Sequence, residues 1–171
     1  AFSVEFWINP WECSVDNQQQ IYSTGGWDEF YFHTDLNCAI YVGIDSDGNR
    51  LTPTELPAGT LTLKEWQHFV FTFGAQTGSF YKNGSLLESK NSKSPQAWTS
   101  FNVGNTTKDT MHGKVDDVIV YTRALTAAEV QSQYDASGYK LSTPPAKPTN
   151  SSPADTATGI ALSPTLTSSV F

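Results

Sequence analysis

The carboxylates of this chain are the first side chains to test for chemistry, because paired acids hydrolyse glycosidic bonds. That reaction needs two carboxylates about 5–5.5 Å apart for retention of configuration, or about 6.5–9.5 Å apart for inversion. Glu5 has only Trp7 and Asn9 as neighbours on its face of a strand, so no acid partners it there. Asp116 and Asp117 are consecutive, and alternation along a strand would direct them to opposite faces. We therefore expect that the protein is not an enzyme.

Asp116 and Asp117 still need a reason to be in a strand, because aspartate is a poor strand former. One of them is expected to face inward or towards a cluster of loops. There it would serve as a calcium ligand, or as a carboxylate that accepts backbone N–H groups and fixes a neighbouring turn. Both interpretations stay open, and the structural one is the more common for an acid in a short strand.

A second candidate calcium site lies at Asp45, Asp47 and Asn49, whose i, i+2, i+4 spacing resembles the start of an oxygen-ligand loop. An EF-hand loop needs a bidentate acid at its twelfth position, which here is Leu56, with Glu55 one residue early. The Asp-Gly dipeptide between two extended segments also predicts a plain hairpin turn. The hairpin is the simpler interpretation, and calcium at this loop is an expectation beside it.

Three tryptophans, Trp11, Trp27 and Trp98, lie in turn-like segments rather than in the interiors of strands. An aromatic face that is exposed on a loop can stack on a sugar ring, while nearby amides or carboxylates bind the hydroxyls of the sugar. These residues are therefore the candidate binding platforms for a glycan. Each of them could instead cap one end of the fold, because tryptophan is highly but seldom completely buried.

Cys13 and Cys38 are the two cysteines of the chain. A disulfide between them would close a loop of about 25 residues, for which chain entropy predicts a stabilisation of about 3–4 kcal/mol. The alternative is two buried free thiols, which are common among cysteines. An extracellular location would favour the disulfide.

The elements that must position these side chains are mostly strands. Phe2 to Ile8 alternates with a period of two, and Trp66 to Phe73 alternates again. Asp47-Gly48 and Asn83-Gly84 predict tight hairpin turns. The segment from Gly113 to Tyr121 has the β-branched and aromatic composition of a strand that is covered on both faces.

One segment carries the signals of a helix. Thr126 is placed to be its N-cap, and Glu129 three residues later completes a capping box. Leu125 and Val130 occupy the two positions of a hydrophobic staple. We expect a single short helical turn after the last strand.

The composition predicts an all-β sandwich, since ten Phe, seven Tyr and five Trp stand against one Met. The net charge of −7 argues against nucleic acid and anionic membranes as partners, because both require a basic surface. No apolar run approaches the roughly 20 residues that a membrane-spanning helix needs, so membrane insertion is not expected.

Four segments, in this order, resemble the laminin-G-like jelly-roll domains of the concanavalin A-like lectin/glucanase superfamily: Phe2 to Pro10, Glu65 to Phe73, Phe80 to Gly84, and Gly113 to Tyr134. The resemblance covers residues 1–136 and implies a two-sheet antiparallel jelly-roll sandwich with one short C-terminal helical turn. It also implies a secreted binding or adhesion module, sometimes with calcium. Trp7 and Trp66 match positions that the family uses for packing. His68 matches a position where the family has a His beside a core Trp, and a structural hydrogen bond is its expected role. The Glu-x-Asp-x-x-Glu motif of its glucanases is absent.

The composition changes at Ser137 and divides the chain. Residues 137–150 are expected to be a Pro-rich linker, because prolines lack the donors for a ladder or a helix. Residues 151–171 resemble the first strands of a bacterial Ig-like or fibronectin-like domain. The sandwich itself lacks the first strands usual in its family, so we expect a fragment of a longer modular protein. The 151–171 tail, or another chain, would then fill an exposed strand edge.

These features favour a non-catalytic extracellular module that binds a glycan or another surface ligand. We expect it to be secreted or at the cell surface of a bacterium, beside neighbouring modules of the same protein. The first alternative is a structural spacer or assembly block of an adhesin, stalk or filament, with no small ligand. The second is a glycoside hydrolase, against which the missing paired-carboxylate motif counts.

Overall fold

The computed structural model describes residues 1–13, 19–24, 30–34, 37–46, 49–50, 54–56, 59–91, 100–104, 112–138, 150–152 and 167–168. They belong to two compact units, Ala1–Gly138 and Tyr139–Phe171. Each unit is described by itself below.

The first unit consists of two antiparallel sheets and one helix, as the sequence predicts for a jelly-roll sandwich. Its helix is α1 (Ala127–Ala136). Its strands are β1 (Phe2–Pro10), β2 (Gln19–Thr24), β3 (Phe30–Thr34), β4 (Ile40–Ser46), β5 (Asn49–Arg50), β6 (Thr54–Leu56), β7 (Gln67–Gly74), β8 (Thr77–Lys82), β9 (Ser85–Asn91), β10 (Ser100–Val103) and β11 (Gly113–Tyr121).

The first sheet has the strand order β11-β1-β7-β8-β9. Strands β1 and β7 are buried along almost their whole length. One face of β1 points into the sandwich and the other lies under α1, where Trp7 stacks on Tyr134 of the helix with ring centroids 5.9 Å apart. The alternation read from the sequence is confirmed, because the core-facing side chains of β1 are Phe2, Val4, Phe6 and Ile8.

The second sheet has the order β10-β2-β3-β4-β5, and β6 pairs with β4. Its inward side chains meet those of the first sheet in one core, where Phe6 and Phe32 make an edge-to-face contact with centroids 5.0 Å apart. The other core side chains that β3 and β4 contribute are Phe30, Ile40 and Val42.

Of the two predicted hairpin turns, one is described in full, and for the other only the flanking strands are described. Ser46 pairs with Asn49, so two residues separate β4 from β5; those residues, Asp47 and Gly48, lie outside the described part of the chain. Asn83 and Gly84 both have positive φ angles, 50° and 79°, as a type I′ turn requires. The Ala75–Gln76 turn has the same conformation, with φ angles of 49° and 59°, although neither residue type signals it.

Helix α1 begins as the sequence predicts. The Thr126 side chain accepts the Glu129 N–H, and the Glu129 carboxylate accepts the Thr126 N–H at 2.8 Å, which completes the capping box. Leu125 and Val130 are buried and pack with Val70 of β7 on the outer face of the first sheet. The helix therefore covers part of the outer face of the first sheet.

Strand β11 is not covered on both faces, and that prediction is wrong. It is the end strand of the first sheet, and its residues are exposed or only partly buried. Ile119 and Val120 are 43% and 44% exposed. The cause is position in the sheet: β1 and β7 occupy the centre, and an end strand packs less however apolar its sequence is.

The second unit contains β12 (Asn150–Ser152) and β13 (Thr167–Ser168), which pair with one another in antiparallel register. The remaining residues of the expected linker and tail lie outside the described part of the chain. Addition of the 151–171 tail to a strand edge of another sheet, and the Ig-like character of this segment, stay predictions. Among the described residues, no helix has the length and apolarity needed to cross a membrane.

Candidate functional site

Trp11 follows β1 directly, and its side chain is 52% exposed. This is the largest exposed fraction among the tryptophans that the structure describes. By contrast Trp7 is buried, and Trp66, which the family resemblance places in the core, is only partly buried because it precedes β7 in a turn. A large aromatic side chain in water forfeits the stabilisation that burial would give. Its exposure therefore needs an explanation from the surrounding structure.

The backbone at Trp11 is held from two sides. The Trp11 N–H donates to the His112 carbonyl at 2.7 Å, which extends the pairing of β1 with β11 by one bond. On the other side the Lys64 N–H donates to the Pro10 carbonyl at 2.6 Å. The indole is thus carried by a segment with a fixed path.

Gly113 permits this close approach. A Cβ at Gly113 would lie 2.5 Å from the Asn9 carbonyl oxygen and 2.8 Å from the Pro10 Cα, both atoms of the backbone. Backbone atoms cannot swing aside as the end of a side chain can. Any residue other than glycine here would push β11 away from the end of β1, and with it the His112 carbonyl that binds Trp11.

A disulfide between Cys13 and Cys38 anchors the same segment to the second sheet. Their Cα atoms are 5.0 Å apart, and Cys38 lies just before β4. Cys38 and Lys64 have φ angles of 59° and 63°, which non-glycine residues seldom adopt. Two such residues beside one exposed tryptophan agree with the tendency of strained backbone to collect at functional sites.

Glu12 and His112 complete the group that we call the Trp11 site, consisting of Trp11, Glu12 and His112. The Glu12 Oε1 atom contacts His112 Nδ1, and both side chains are about half exposed, 51% and 55%. Glu12 adjoins Trp11 in sequence, and His112 is joined to Trp11 by the backbone hydrogen bond described above. A carboxylate and an imidazole can both hydrogen-bond hydroxyl groups.

The other two candidate platforms, Trp27 and Trp98, lie outside the described residues. Their role in binding stays a prediction. Asp47 also lies outside them, while Asp45 is described only as part of the β4 backbone.

Asp116 and Asp117 are both exposed, so neither faces inward, and the alternative that one of them faces a cluster of loops stays a prediction. Trp7 pairs with Asp116 and Glu5 with Ile119, so two residues of β11 stand opposite Phe6 alone. This β-bulge interrupts the alternation of side chains along the strand. Within the bulge, Asp117 has a φ angle of 47°, and its N–H donates to the Asp116 carboxylate at 2.9 Å. Aspartate tolerates this conformation better than most residues, which accounts for an acid in the strand.

Among the residues that the structure describes, no three His, Cys, Asp or Glu side chains are grouped to hold a metal ion. The Asp45–Asp47 loop is only partly described, so its expected role as a ligand loop is untested. Calcium at Asp116, Asp117 or this loop stays a proposal for experiment.

A buried polar network under α1 was not foreseen from the sequence. His68 Nε2 lies 2.8 Å from Glu5 Oε1, and the Tyr121 hydroxyl donates to Glu5 Oε2 at 2.7 Å. The Gln133 amide of α1 then donates to the Tyr121 hydroxyl at 2.8 Å. Burial, with the hydrogen bond to Glu5, raises the pKa of Tyr121 to about 12. The only advance signal was an acid at the centre of an apolar strand.

This network is enclosed between the first sheet and α1. Glu5 and His68 are only 6% and 1% exposed, and the Trp7 and Tyr134 rings stack over the imidazole. A substrate would have to displace the helix to reach the carboxylate. The prediction that His68 makes a structural hydrogen bond is confirmed.

The fold defined by these features is a two-sheet antiparallel sandwich with a helix closing one outer face and a polar-aromatic group at one end. Residues 1–131 match the family described as the concanavalin A-like lectin/glucanases superfamily, and the chain belongs to it. Among curated protein sequences, none matches this chain.

Several solved structures share the fold at low sequence identity. Domain 4 of AbnA, an extracellular GH43 arabinanase from Geobacillus stearothermophilus solved in complex with arabinotriose, has a TM-score of 0.59 and 17% identity; the match covers 77% of this chain and 65% of that one. Trypanosoma rangeli sialidase in complex with the inhibitor DANA has a TM-score of 0.61 and 19% identity, covering 78% of this chain and 22% of that one. A SAP-like pentraxin from Limulus polyphemus has a TM-score of 0.54 and 16% identity, covering 78% and 69%.

Proposed function

We propose that residues 1–138 are a non-catalytic, extracellular carbohydrate-binding module of a larger modular surface protein, and that Trp11 is its stacking platform. The observation that carries this proposal is a half-exposed indole on a backbone fixed by Lys64, His112 and the Cys13–Cys38 bond. A rigid platform loses little conformational entropy when a ligand stacks on it, so more of the contact energy appears as affinity.

The ligand class follows from the side chains at the platform. The hydrophobic face of a sugar ring stacks on an aromatic ring, and its hydroxyls need hydrogen-bond partners at the rim. Glu12, which follows Trp11 in sequence, and His112, whose carbonyl accepts the Trp11 N–H, are the exposed polar residues that we assign as these partners. The arabinotriose complex of the similar arabinanase domain is a property of that protein, and it makes carbohydrate the first ligand class to test here.

Two further observations support the non-catalytic and extracellular parts of the proposal. Glu5, the acid at the centre of the first sheet, is buried under α1 and hydrogen-bonded to His68 and Tyr121, so it is unavailable to a substrate. The Cys13–Cys38 disulfide fits an oxidising compartment.

A structural spacer or assembly block is the second candidate function. Exposed aliphatic pairs on both end strands of the first sheet favour it, namely Ile119–Val120 on β11 and Leu86–Leu87 on β9. End strands with apolar side chains pair readily with other chains. Self-association that rises with concentration in analytical ultracentrifugation, without any carbohydrate binding, would favour this function.

The test is a glycan array followed by isothermal titration calorimetry on the whole chain, with and without calcium. We expect Trp11→Ala to weaken carbohydrate binding by about tenfold or more, as loss of a central aromatic contact does. Leu86→Ala is the matched control, because Leu86 is 54% exposed on a distant strand. Trp27→Ala and Trp98→Ala test the other two platforms, and an unchanged affinity in Trp11→Ala would contradict the proposed site.

A further inference from the structure

We propose that the free edge of β11 is an assembly edge, at which two copies of this chain pair their β11 strands in antiparallel orientation about a twofold axis at Val120. The pairing joins the five-stranded first sheets of the two copies into one continuous sheet. This inference goes beyond the carbohydrate-binding function proposed above and does not depend on it. It gives the second candidate function, an assembly block, a defined interface.

The edge of β11 leaves apolar side chains exposed on both faces of the sheet. Val120 pairs with Val4, a core residue of β1, so its side chain lies on the inner face, yet it is 44% exposed. Ile119 pairs with Glu5 on the outer face and is 43% exposed. Among the described strands, only β1 pairs with β11. One additional strand at this edge therefore covers both side chains, and burial of apolar surface favours the pairing.

The opposite end of the same sheet has features that prevent pairing. Strand β9 carries the Glu88–Lys90 ion pair and a β-bulge at Leu86–Leu87. Charges and bulges are the devices by which natural end strands avoid pairing with other chains. Beyond its own bulge, β11 continues with residues 118–121, Val-Ile-Val-Tyr, which carry no charge and favour strands. Of the two end strands of this sheet, β11 is the one that accepts a partner.

Symmetry restricts how two β11 strands can pair in one sheet. Residues directly opposite one another in an antiparallel pair have their side chains on the same face. Ile119 lies on the outer face and Val120 on the inner face, so they cannot stand opposite one another. The twofold axis must therefore pass through a residue and not between two residues. The candidates within the apolar segment are Val118, Ile119, Val120 and Tyr121.

An axis at Val120 brings favourable side chains together at every position. Ile119 then lies opposite Tyr121 of the second copy. Asp116 lies opposite Arg123 of the second copy, because the two residues of the bulge occupy one position of the ladder. The symmetry produces each of these pairs twice. Pairs of a β-branched with an aromatic side chain, and pairs of opposite charge, both stabilise antiparallel strands.

The other three axes lose the charge pair or reverse it. An axis at Ile119 places Lys114 opposite Arg123, so like charges meet twice, which is destabilising. An axis at Tyr121 places Arg123 opposite Ile119. An axis at Val118 leaves Arg123 opposite no residue of β11. The charges that flank the apolar segment thus select the axis at Val120.

Arg123 can take part in this pairing although it follows the last residue of β11. The Ser3 hydroxyl donates to the Arg123 carbonyl at 3.0 Å, so the chain still lies beside β1 at this point. The guanidinium donates to both carboxylate oxygens of Glu129 on α1, which covers the outer face. Asp116 pairs with Trp7 on that same face. A guanidinium has five N–H donors, so the bonds to Glu129 leave donors for a second carboxylate.

Single cysteines test the position of the axis. Directly opposite residues of an antiparallel pair have Cα atoms about 4.5–5.5 Å apart, which a disulfide can span. The described cysteines are bonded to one another, so a new thiol finds no free thiol within its own chain. With oxidised glutathione, Val120→Cys should form a covalent dimer on a non-reducing gel. Val118→Cys should not, because its two copies lie about 13 Å apart along the strands.

Charge reversal tests the same pairing in solution, on the whole chain. In sedimentation experiments up to about 1 mM we expect a monomer–dimer equilibrium for the wild type. Asp116→Lys and Arg123→Glu each turn two attractive pairs into two repulsive ones, so each should weaken the dimer by about tenfold or more. A mixture of the two variants should associate again, because each supplies the charge that the other now lacks.

Glu88→Lys is the matched control, since it makes the same charge reversal on β9 and should leave the dimer unchanged. A wild-type chain that stays monomeric would overturn the assembly edge. A dimer that Glu88→Lys weakens and Asp116→Lys does not would place the contact at β9 instead. Faster crosslinking of Ile119→Cys than of Val120→Cys, or a variant mixture that stays monomeric, would overturn the proposed axis. Carbohydrate binding by a monomeric chain would leave the Trp11 site intact, so the two proposals can fail separately.

Discussion

The position of the exposed Trp11 depends on backbone atoms of residues that lie far away in the sequence. Trp11 keeps its place because His112 accepts its N–H, and because Gly113 lets β11 approach the end of β1. The contribution of both residues to the position of Trp11 comes from the backbone, from the His112 carbonyl and from the missing Cβ of Gly113. The Cys13–Cys38 bond restrains the same segment.

Replacement of Gly113 tests this support. We expect Gly113→Ala to lower the free energy of unfolding by about 1–3 kcal/mol, since the added Cβ would lie 2.5 Å from the Asn9 carbonyl and the strands must separate. Carbohydrate affinity should fall with it, although Gly113 carries no side chain. Calorimetric titration and thermal melting measure the two effects.

The control for this variant is Gly104→Ala. A Cβ at Gly104 meets no atom within 4 Å, and its φ of 77° adds only a backbone cost. Stability should fall somewhat while affinity is kept. Equal affinities for Gly113→Ala and the wild type would show that the approach of β11 does not position Trp11.

At the scale of elements, α1 is attached to the first sheet by two kinds of contact. Leu125 and Val130 provide the apolar contact with the sheet. The Glu5–Tyr121–Gln133 chain of hydrogen bonds provides a polar contact, in which a carboxylate, a phenol and an amide are linked in series. The polar contact should make the attachment of the helix sensitive to pH at the point where its phenol ionises.

Tyr121 sets that pH range. Its pKa is about 12 in the folded chain and 10.0 ordinarily, first because burial disfavours the phenolate and then because the phenol donates a hydrogen bond to Glu5 that ionisation would break. A group with a raised folded pKa contributes stability that is complete below the unfolded pKa and is lost as the pH rises through the folded one. The contribution of Tyr121 should therefore be complete below pH 10 and lost as the pH rises through about 12.

Melting curves of the wild type and Tyr121→Phe follow this loss. The variant lacks the hydroxyl, so it should melt at a lower temperature than the wild type up to about pH 10. The difference should shrink between pH 10 and 12. A difference that stays constant across this interval would mean that ionisation of Tyr121 does not weaken the attachment of α1.

The elements themselves show where sequence reasoning succeeds. The alternation of β1, the Asn83–Gly84 turn and the capping box of α1 were predictable, because each depends on residues close together in the chain. The exposure of β11 was not predictable, because an apolar strand has the same sequence pattern whether it lies at the centre or at the end of a sheet. The β-bulge at Asp117 was not predictable either, because a one-residue insertion leaves no periodic signal in the sequence. It interrupts the alternation from which the directions of Asp116 and Asp117 were predicted.

The Trp11 site was predictable only in part, for the same reason. A tryptophan between Pro10 and Glu12 could be identified as a loop residue, and its exposure agrees with that interpretation. The partners His112 and Lys64 lie far away in the sequence and meet Trp11 only through the pairing of β1 and β11 and the turn before β7. Their contribution is a property of the assembled sandwich.

At the scale of the whole first unit, the Cys13–Cys38 bond joins the two sheets. Cys13 follows β1 of the first sheet, and Cys38 precedes β4 of the second, at a sequence separation of 25. Both sulfurs lie against the common core, where Cys38 is buried and Cys13 is partly buried. The bond therefore restrains the sandwich as well as the segment that carries Trp11.

Removal of this bond should affect stability and binding together. For a closed loop of 25 residues, chain entropy predicts that a Cys13→Ser/Cys38→Ser double variant loses about 3–4 kcal/mol of stability, because its unfolded chain is less restrained. Denaturant unfolding measures this loss, and calorimetric titration at a temperature where the variant is folded measures affinity. We expect carbohydrate binding to weaken because the Trp11 segment loses one of its anchors. Intact mass after alkylation of the untreated protein is the control, and addition of two alkyl groups would show that the bond is not formed.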